Sequence, residues 1–416
     1  MSLSTFLMDS KHHYLKDVQE DKGQGWIVAM GNEAGDLDSV ASSIAYSWFA
    51  STVQQNPCVA LLQTRRDDLR LRPENIYAFS IISLSPSLEE LLCIDDMLSS
   101  MSFPSNRFAL VDHNRLLPRF SDKNERVEVV AILDHHDDEG LYRDSANPRT
   151  IIVPTGSASS IVARHIEQSS TEQILPEVAR LLLCAILVDT SGLKPGGKAE
   201  ELDHMAVSYL LPRSELDVVS TFTPHESLSI VSVLAKDLIA KKFNVGQLST
   251  IDLLRRDYKQ YAWTENGRAV LVGLSTVPID FHIWLVRNSV EEFWREVDMF
   301  VNERKLNVLG ILTTFQKEKS KHKRQLLLII RDVPGGELER RLCMGVENAS
   351  ELALEPYAVS KFVSKLQKGK PHTDIPKDVG IGSRRVYLYK QVNTKATRKV
   401  IAPLMKQIIE GQAKVA

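Results

Sequence analysis

Three short apolar runs in the first third of this chain each break off into carboxylates or imidazoles, and that repeat restricts the fold most. Trp26–Met30 leads into Gly31-Asn32-Glu33-Ala34-Gly35-Asp36-Leu37-Asp38-Ser39. Phe108–Val111 leads into Asp112-His113-Asn114, and Val129–Leu133 into Asp134-His135-His136. Apolar runs of four or five residues read as buried strands. Burying unpaired polar residues of ligand type is costly, so their recurrence at strand ends marks a site. Open parallel sheets place their ligand crevice at the carboxyl ends of the strands, where the three clusters are expected to converge.

A chain of 416 residues exceeds one ordinary core, so two domains are expected. No apolar run approaches the roughly 18 residues of a membrane span. The first residues, Met1-Ser2-Leu3-Ser4-Thr5-Phe6, offer neither a basic lead nor a long apolar stretch, so no secretory signal is expected and the location is read as cytoplasmic. Cys58, Cys93, Cys184 and Cys343 show no paired spacing, which argues against a disulfide framework and a cysteine zinc site. The net charge of −2 hides an asymmetry. Residues 1–234 hold 19 Lys+Arg against 33 Asp+Glu, a balance of −14; residues 235–416 hold 32 against 20, a balance of +12. An acidic half suits hard cations, and a basic half suits a polyanion.

The first half alternates β-rich runs with helical stretches, the signature of a parallel sheet with crossover helices. Expected strands are Trp26–Met30, Cys58–Leu62, Phe108–Val111, Val129–Leu133 and Thr150–Val153. Expected helices are Ser39–Phe49, one opening at Gly156 and running toward His165, and Pro176 to Leu187, which ends in Val188-Asp189-Thr190. A boundary is expected around Pro212–Pro224, dividing the chain into domain 1–215, connector 216–235 and domain 236–416, with Leu228–Lys242 as a connecting helix. Beyond it, strands Ala269–Leu274, Val308–Thr314 and Gln325–Ile330 and helices Val290–Arg304 and Ser350–Lys368 predict a smaller mixed α/β domain with antiparallel pairing. Lys317–Arg324 reads as a basic hairpin loop, and Val333-Pro334-Gly335-Gly336-Glu337 as a hairpin turn.

The rim thus collects Asp36, Asp38, Asp112, Asp134, His135, His136 and Asp189. Singly these have plain explanations: Asp36 caps the following helix, and His135 is a satisfied core histidine. Together, so many carboxylates repel unless cations lie among them. Oxygen-rich ligation with one or two imidazoles suits Mg²⁺, Mn²⁺ or Co²⁺ better than a structural zinc. Two divalent metal ions roughly 3.5–4 Å apart are a recurrent device for phosphoryl hydrolysis.

Asp-His-His after a strand, preceded by Asp-x-Asp-Ser and Asp-His-Asn and followed by Asp-Thr, resembles the DHH phosphoesterase superfamily. Gly31 to Ser39 resembles the first motif of cytosolic, fungal-type exopolyphosphatases. Asp257-Tyr258-Lys259 and Asn393-Thr394-Lys395-Ala396-Thr397-Arg398-Lys399, followed by Pro403, are similar to basic motifs of the C-terminal domain that these enzymes share with family II inorganic pyrophosphatases. The resemblance implies an N-terminal parallel-sheet domain, a smaller C-terminal domain and an active site in the cleft between them. Asp36 would bind the first metal and Asp38 the second, Asp112 would bridge them, and His135 and Asp189 would complete the second site. His136 would sit beside the attacking water or the scissile phosphate, with Asp134 orienting the histidines. Lys259, Arg398 and Lys399 would clamp phosphate oxygens.

Asn32 stands where family II pyrophosphatases carry His, which favours a Mg²⁺-tolerant site and argues against pyrophosphatase activity. Asn32 therefore joins Asp112 and His136 in the catalytic set. His113 either helps to position phosphate or is an ordinary rim histidine. Arg65, Arg66, Arg70 and Arg72 offer anion contacts, against adjacent acids that make surface pairing the plainer reading. The expected activity is stepwise removal of terminal phosphate from inorganic polyphosphate by a monomer, with no nucleic acid or membrane partner. The rival readings are an inorganic pyrophosphatase, another phosphodiesterase of the superfamily, and a silent phosphate-binding scaffold.

Overall fold

The structure is a computed structural model that describes residues 1–97, 102–124, 126–169, 173–216, 227–287, 289–316, 322–331, 336–357 and 384–411. Strands β1 (Ile27–Met30), β2 (Cys58–Leu62), β3 (Leu92–Cys93), β4 (Arg107–Val111), β5 (Glu128–Asp134) and β6 (Arg149–Ile151) form one sheet in the order β3-β2-β1-β4-β5-β6. Every pair in it is parallel. The chain winds outward from β1 through β2 and β3, then returns to β4 on the other side of β1. That reversal between β1 and β4 is the topological switch point of a doubly wound sheet, where a crevice opens at the strands' carboxyl ends. It sets the Asn32–Asp38 segment beside Asp112, although 80 residues separate Asn32 from Asp112 in sequence.

Both faces of this sheet are covered, as parallel sheets require, and β1 and β2 are buried at every position. Alternate residues divide between the faces. Ala29, Ala60, Ala109 and Ala131 lie in one core with Ile44, Phe49, Leu182 and Ile186 from the Leu37–Thr52 and Pro176–Asp189 helices. Alanine at these strand positions lets the helices approach closely. Val28, Met30, Val59, Leu61, Phe108 and Leu110 lie in the other core, with Tyr14 and Phe120. Each large side chain so buried contributes about 1.5–3 kcal/mol.

The chain divides into Met1–Asn244 and Val245–Ala416. In the second unit, β7 (Tyr258–Glu265), β8 (Arg268–Val277), β9 (Val308–Gln316), β10 (His322–Arg331), β11 (Leu354–Pro356) and β12 (Arg384–Gln391) are ordered β11-β12-β10-β9-β8-β7. All pairs are antiparallel except β8 with β9. Helices Glu337–Asn348 and Arg398–Ile409 bury Leu342, Val346, Ile401 and Met405 in one core with Leu326, Leu328 and Ile330 of β10.

Several expectations change. The helix read over Ser350–Lys368 is not what forms at its start: Leu354–Pro356 pairs with β12 as an edge strand, and 358–368 fall outside the described residues. Pairing across the sheet overrides a local helical pattern there. Gly336 is not in a hairpin turn but caps the Glu337–Asn348 helix with φ +62°, a backbone state glycine adopts without strain; 333–335 fall outside the described residues. Lys323 and Arg324 belong to β10 rather than to a loop, while 317–321 again lie outside the described residues. The expected connector falls partly outside them, at 217–226, and the Ser227–Phe243 helix is grouped with the first unit. Among the described residues no helix is long and apolar enough to cross a membrane.

Candidate active site

The loop after β1 is shaped by close approach. A Cβ on Gly31 would lie 2.4 Å from Ser39 Cβ, and Gly35 holds φ +59° with Thr64 Oγ1 only 1.9 Å from where its Cβ would be. The tight turn lets a helix start at Leu37, capped by Asp36, whose Oδ1 accepts the Ser39 N–H at 3.0 Å. From outside, Arg72 donates to the Ala34 carbonyl at 2.6 and 3.1 Å and lies 3.6 Å from Glu74. Buried in this way, Arg72 braces the loop and offers nothing to an anion, which corrects that expectation. Arg66 is likewise committed, to Asp96 and to the carbonyls of Leu88 and Leu91. Arg65 and Arg70 are exposed.

Asp112 is the hub. It is 2% exposed and sits at φ +59°, a conformation non-glycine residues hold only where the surroundings impose it. Its Oδ2 accepts from Asn32 Nδ2 at 2.7 Å and from Ser39 Oγ at 2.6 Å. Asn32 Oδ1 meanwhile accepts the Ala34 N–H at 2.9 Å, which fixes the amide's orientation: Asn32 presents Asp112 with a donor rather than a lone pair. The other Asp112 oxygen, Oδ1, lies 3.2 Å from His135 Nε2 and 3.6 Å from His136 Nδ1.

His135 has its Nδ1 3.0 Å from the Thr155 carbonyl. A carbonyl only accepts, so Nδ1 carries a proton, and Nε2 is the nitrogen that faces Asp112 and also Asp38 Oδ2, 3.9 Å away. Asp38 is itself held at the start of the Ala158–Ser169 helix. Its Oδ1 accepts from Ser157 Oγ, Ser159 N and Ser159 Oγ at 2.6–2.7 Å, and its Oδ2 from Ala158 N at 2.7 Å. Buried Asp203 pins the same turn, accepting from Gly156 N at 2.8 Å and Ser160 Oγ at 2.6 Å.

Asp134 is fully buried and points away from this centre. Its Oδ1 accepts from His136 Nδ1 at 2.7 Å and from the His135 and His136 N–H groups; its Oδ2 accepts from Asn114 Nδ2 at 2.6 Å. It therefore orients the His136 ring but not the His135 ring, which Thr155 holds. Burial works against its charge, yet the hydrogen bond from His136, that ring's charge and the bond from Asn114 hold its carboxyl well below the usual range. His113 turns Nδ1 to the Val111 carbonyl at 2.9 Å.

The remaining acids behave oppositely. Burial, then the charges of Asp36 and Asp38, push Asp112 up to about 7. Burial, then Asp38, push Asp189, the last residue of the Pro176–Asp189 helix, up to about 8 against the pull of Lys242 and Lys198. Asp112, His135 and His136 offer ligand atoms that all lie within 4.8 Å of one another. Buried carboxylates gathered around one imidazole nitrogen repel each other unless positive charge lies among them. These donors, oxygen with imidazole nitrogen, fit a divalent metal ion.

In the second unit, Lys259 is the second residue of β7 and Arg398 opens the last helix. Arg398 Nη2 lies 2.8 Å from Asp257 Oδ1, and its Nη1 donates to the Asp257 carbonyl at 2.9 Å. Lys399 is exposed.

The DHH family N-terminal domain matches residues 26–186, and the DHHA2 domain matches residues 236–408. The chain is a DHH–DHHA2 protein. A Schizosaccharomyces pombe protein provisionally named an exopolyphosphatase is 34% identical over 56% of this chain, which spans 59% of that relative's length. Exopolyphosphatase PRUNE1 of Rattus norvegicus is 24% identical over 92% of this chain and 75% of its own. A Streptococcus thermophilus protein provisionally named a manganese-dependent inorganic pyrophosphatase is 27% identical over 55% of this chain and 72% of its own. Among solved structures, a Methanococcus jannaschii protein provisionally named a family II inorganic pyrophosphatase matches with TM-score 0.57 at 17% identity, over 92% of this chain and 98% of that one. That likeness is one of fold.

Reading motifs alone missed Ser39, Asn114, Ser157, Ser159 and Asp203 of the first unit, which position the acids and imidazoles. Small polar residues occur throughout surface loops, so nothing in their spacing announces them; only full burial does. The Asp134 arrangement leads to a specific expectation. In Asp134→Asn the amide cannot both accept from His136 and avoid opposing the Asn114 amide donor. Activity falls about 10–100-fold, the usual effect of losing the partner that orients a ligand-type histidine. Phosphate-release rates check this; wild-type rates would show that Asp134 orients nothing of consequence.

Proposed function

We propose that this protein is an exopolyphosphatase, hydrolysing terminal phosphoanhydride bonds of inorganic polyphosphate and releasing orthophosphate with the help of two divalent metal ions, Mg²⁺, Mn²⁺ or Co²⁺. The observation that carries the hydrolytic reading is His135 Nε2 facing the buried carboxylates of Asp112 and Asp38 at the switch point of the sheet. Asp36, Asp38, Asp112, His135 and Asp189 would hold the ions. Bound there, such ions lower the pKa of a water molecule and neutralise phosphoryl oxygens.

The chain's own groups do the rest. With Nδ1–H given to Asp134, the His136 ring has Nε2 left to hydrogen-bond the attacking water or the phosphate. Asn32 and Ser39 hold Asp112 by one oxygen and keep the other for the reacting centre. The leaving group is a shortened polyphosphate, stable as an anion, so no strong general acid is required. Lys259, Arg398 and Lys399 of the DHHA2 domain bind the phosphate chain, and His113 is a further candidate contact.

Polyphosphate is favoured over pyrophosphate by Asn32. An amide that donates to Asp112 is not a metal ligand, unlike the histidine found in family II pyrophosphatases. The test is phosphate release from pyrophosphate, tripolyphosphate, long polyphosphate and a dinucleotide, each with Mg²⁺, Mn²⁺ and Co²⁺. Tripolyphosphate and longer chains should turn over at least about tenfold faster than pyrophosphate, a difference of about 1.4 kcal/mol in barrier. Turnover of pyrophosphate alone would make the protein a pyrophosphatase, and turnover of the dinucleotide alone a phosphodiesterase.

A further inference from the structure

One cation of the DHHA2 domain is tied to the segment that carries the candidate Arg398 without being a candidate itself. Arg324 is the third residue of β10, opposite Thr314 of β9 and Gln391 of β12. Side chains two apart share a sheet face. Leu326, Leu328 and Ile330 are in the core beneath the Arg398–Ile409 helix, so Arg324 is the next position on that face, where the apolar surface gives out. On β7, Trp263 is in the same core and Tyr261 packs against it, so Lys259 belongs to the same face. Across the sheet Lys259 stands level with Leu328 of β10, whereas Asp257, whose carbonyl accepts the Thr276 N–H, stands level with Leu326, two residues along that strand from Arg324.

Arg324 is also tied to the segment that delivers Arg398. Its Nε donates to the Thr394 carbonyl at 2.9 Å, its one hydrogen bond among the described residues. Gln391, its cross-strand neighbour, donates to the carbonyls of Asn393 and Ala396. The Asp257 carboxylate that pairs with Arg398 acts electrostatically on Arg324 as well, so two guanidiniums share one acid. Burial disfavours the charge on Arg324, but a guanidinium does not surrender its proton at neutral pH. A partly desolvated excess of positive charge is what an anion relieves. The Nε bond fixes the plane of the guanidinium, and the two terminal nitrogens form the fork that grips phosphate in bidentate fashion.

We propose that Arg324 is a substrate-binding residue that holds a phosphate of the polyphosphate chain through its terminal nitrogens, alongside Arg398. This rests on the exopolyphosphatase reading. The experiment uses the full-length protein, with tripolyphosphate binding measured by calorimetry in the absence of metal and steady-state kinetics measured with Mg²⁺. Arg324→Ala should weaken tripolyphosphate binding about tenfold or more and raise KM similarly, with kcat changed less than about threefold. Arg324→Lys should recover part of the loss, because it keeps the charge without the fork. Arg324→Gln retains a donor for Thr394, so the same loss in that variant separates phosphate binding from support of the loop. Wild-type affinity and KM in Arg324→Ala or Arg324→Gln, while the parent protein hydrolyses polyphosphate, would overturn this assignment alone. A parent protein that neither binds tripolyphosphate nor hydrolyses polyphosphate would overturn the exopolyphosphatase reading and this assignment together.

Discussion

Asp112→Ala should reduce phosphate release from polyphosphate by about 100–1,000-fold at saturating Mg²⁺ or Mn²⁺, the scale on which one preorganised charge-stabilising group acts. Four side chains of the site meet on it: Asn32 and Ser39 donate to one oxygen, while His135 and His136 face the other. The cost to the fold is expected to be small. Removing the carboxylate leaves two donors without their acceptor, worth about 1–3 kcal/mol, but it also removes a buried charge crowded by Asp36 and Asp38. Asp112→Asn keeps the shape and an acceptor while losing the charge, and should be nearly as inactive. Thermal melts alongside the assay separate lost chemistry from lost fold. A well-folded Asp112→Ala protein retaining most of its activity would remove Asp112 from the centre of the mechanism.

The second large effect concerns pH and metal together. In the metal-free fold Asp112 titrates at about 7 and Asp189 at about 8, against about 3.9 for an aspartate in an unfolded chain. Between those values the folded state binds more protons than the unfolded one, so metal-free stability falls as pH rises from about 4 to about 8. The loss is complete above the folded values and absent below the unfolded one. A divalent cation that replaces those protons restores the stability. Below pH 7 protons compete with it, and affinity drops by about tenfold per pH unit for each proton displaced. At a hundredfold excess over Kd, bound cation adds about 2.7 kcal/mol, or about 5–10 °C in Tm for a domain of this size. Melts with Mn²⁺ and with chelator at pH 5.5 and pH 8 should show the full gain only at the higher pH. Equal gains at both would mean that the cation does not bind at these carboxylates.

The Asp134-His135-His136 triplet illustrates how much the residues alone reveal. Its position after an apolar run marks it as part of a site, and the acidic and basic halves of the chain divide into separately folded units near where the charge changes sign. In the first sheet β1, β2, β4 and β5 are legible because each contains an unbroken apolar run, while the two-residue β3 is not among the expected strands. In the second unit, β7 and β12 are not, since exposed polar residues interrupt them and only pairing makes them strands.

Within the triplet, the division of labour depends on contacts that spacing does not encode. Asp134 holds His136, a backbone carbonyl holds His135, and Asn114, from the preceding strand's end, holds Asp134. Arg72 reads as a possible anion contact until burial shows it supporting the Ala34 carbonyl. Sequence by itself determined the fold class, with its two domains, and offered the acids and imidazoles as candidates, because hydrophobic period and residue chemistry are local properties. Tertiary structure decided which of those groups face one another and which atoms hold them. Those properties depend on strand order, burial and hydrogen-bond partners brought together from positions 20 to 121 residues apart.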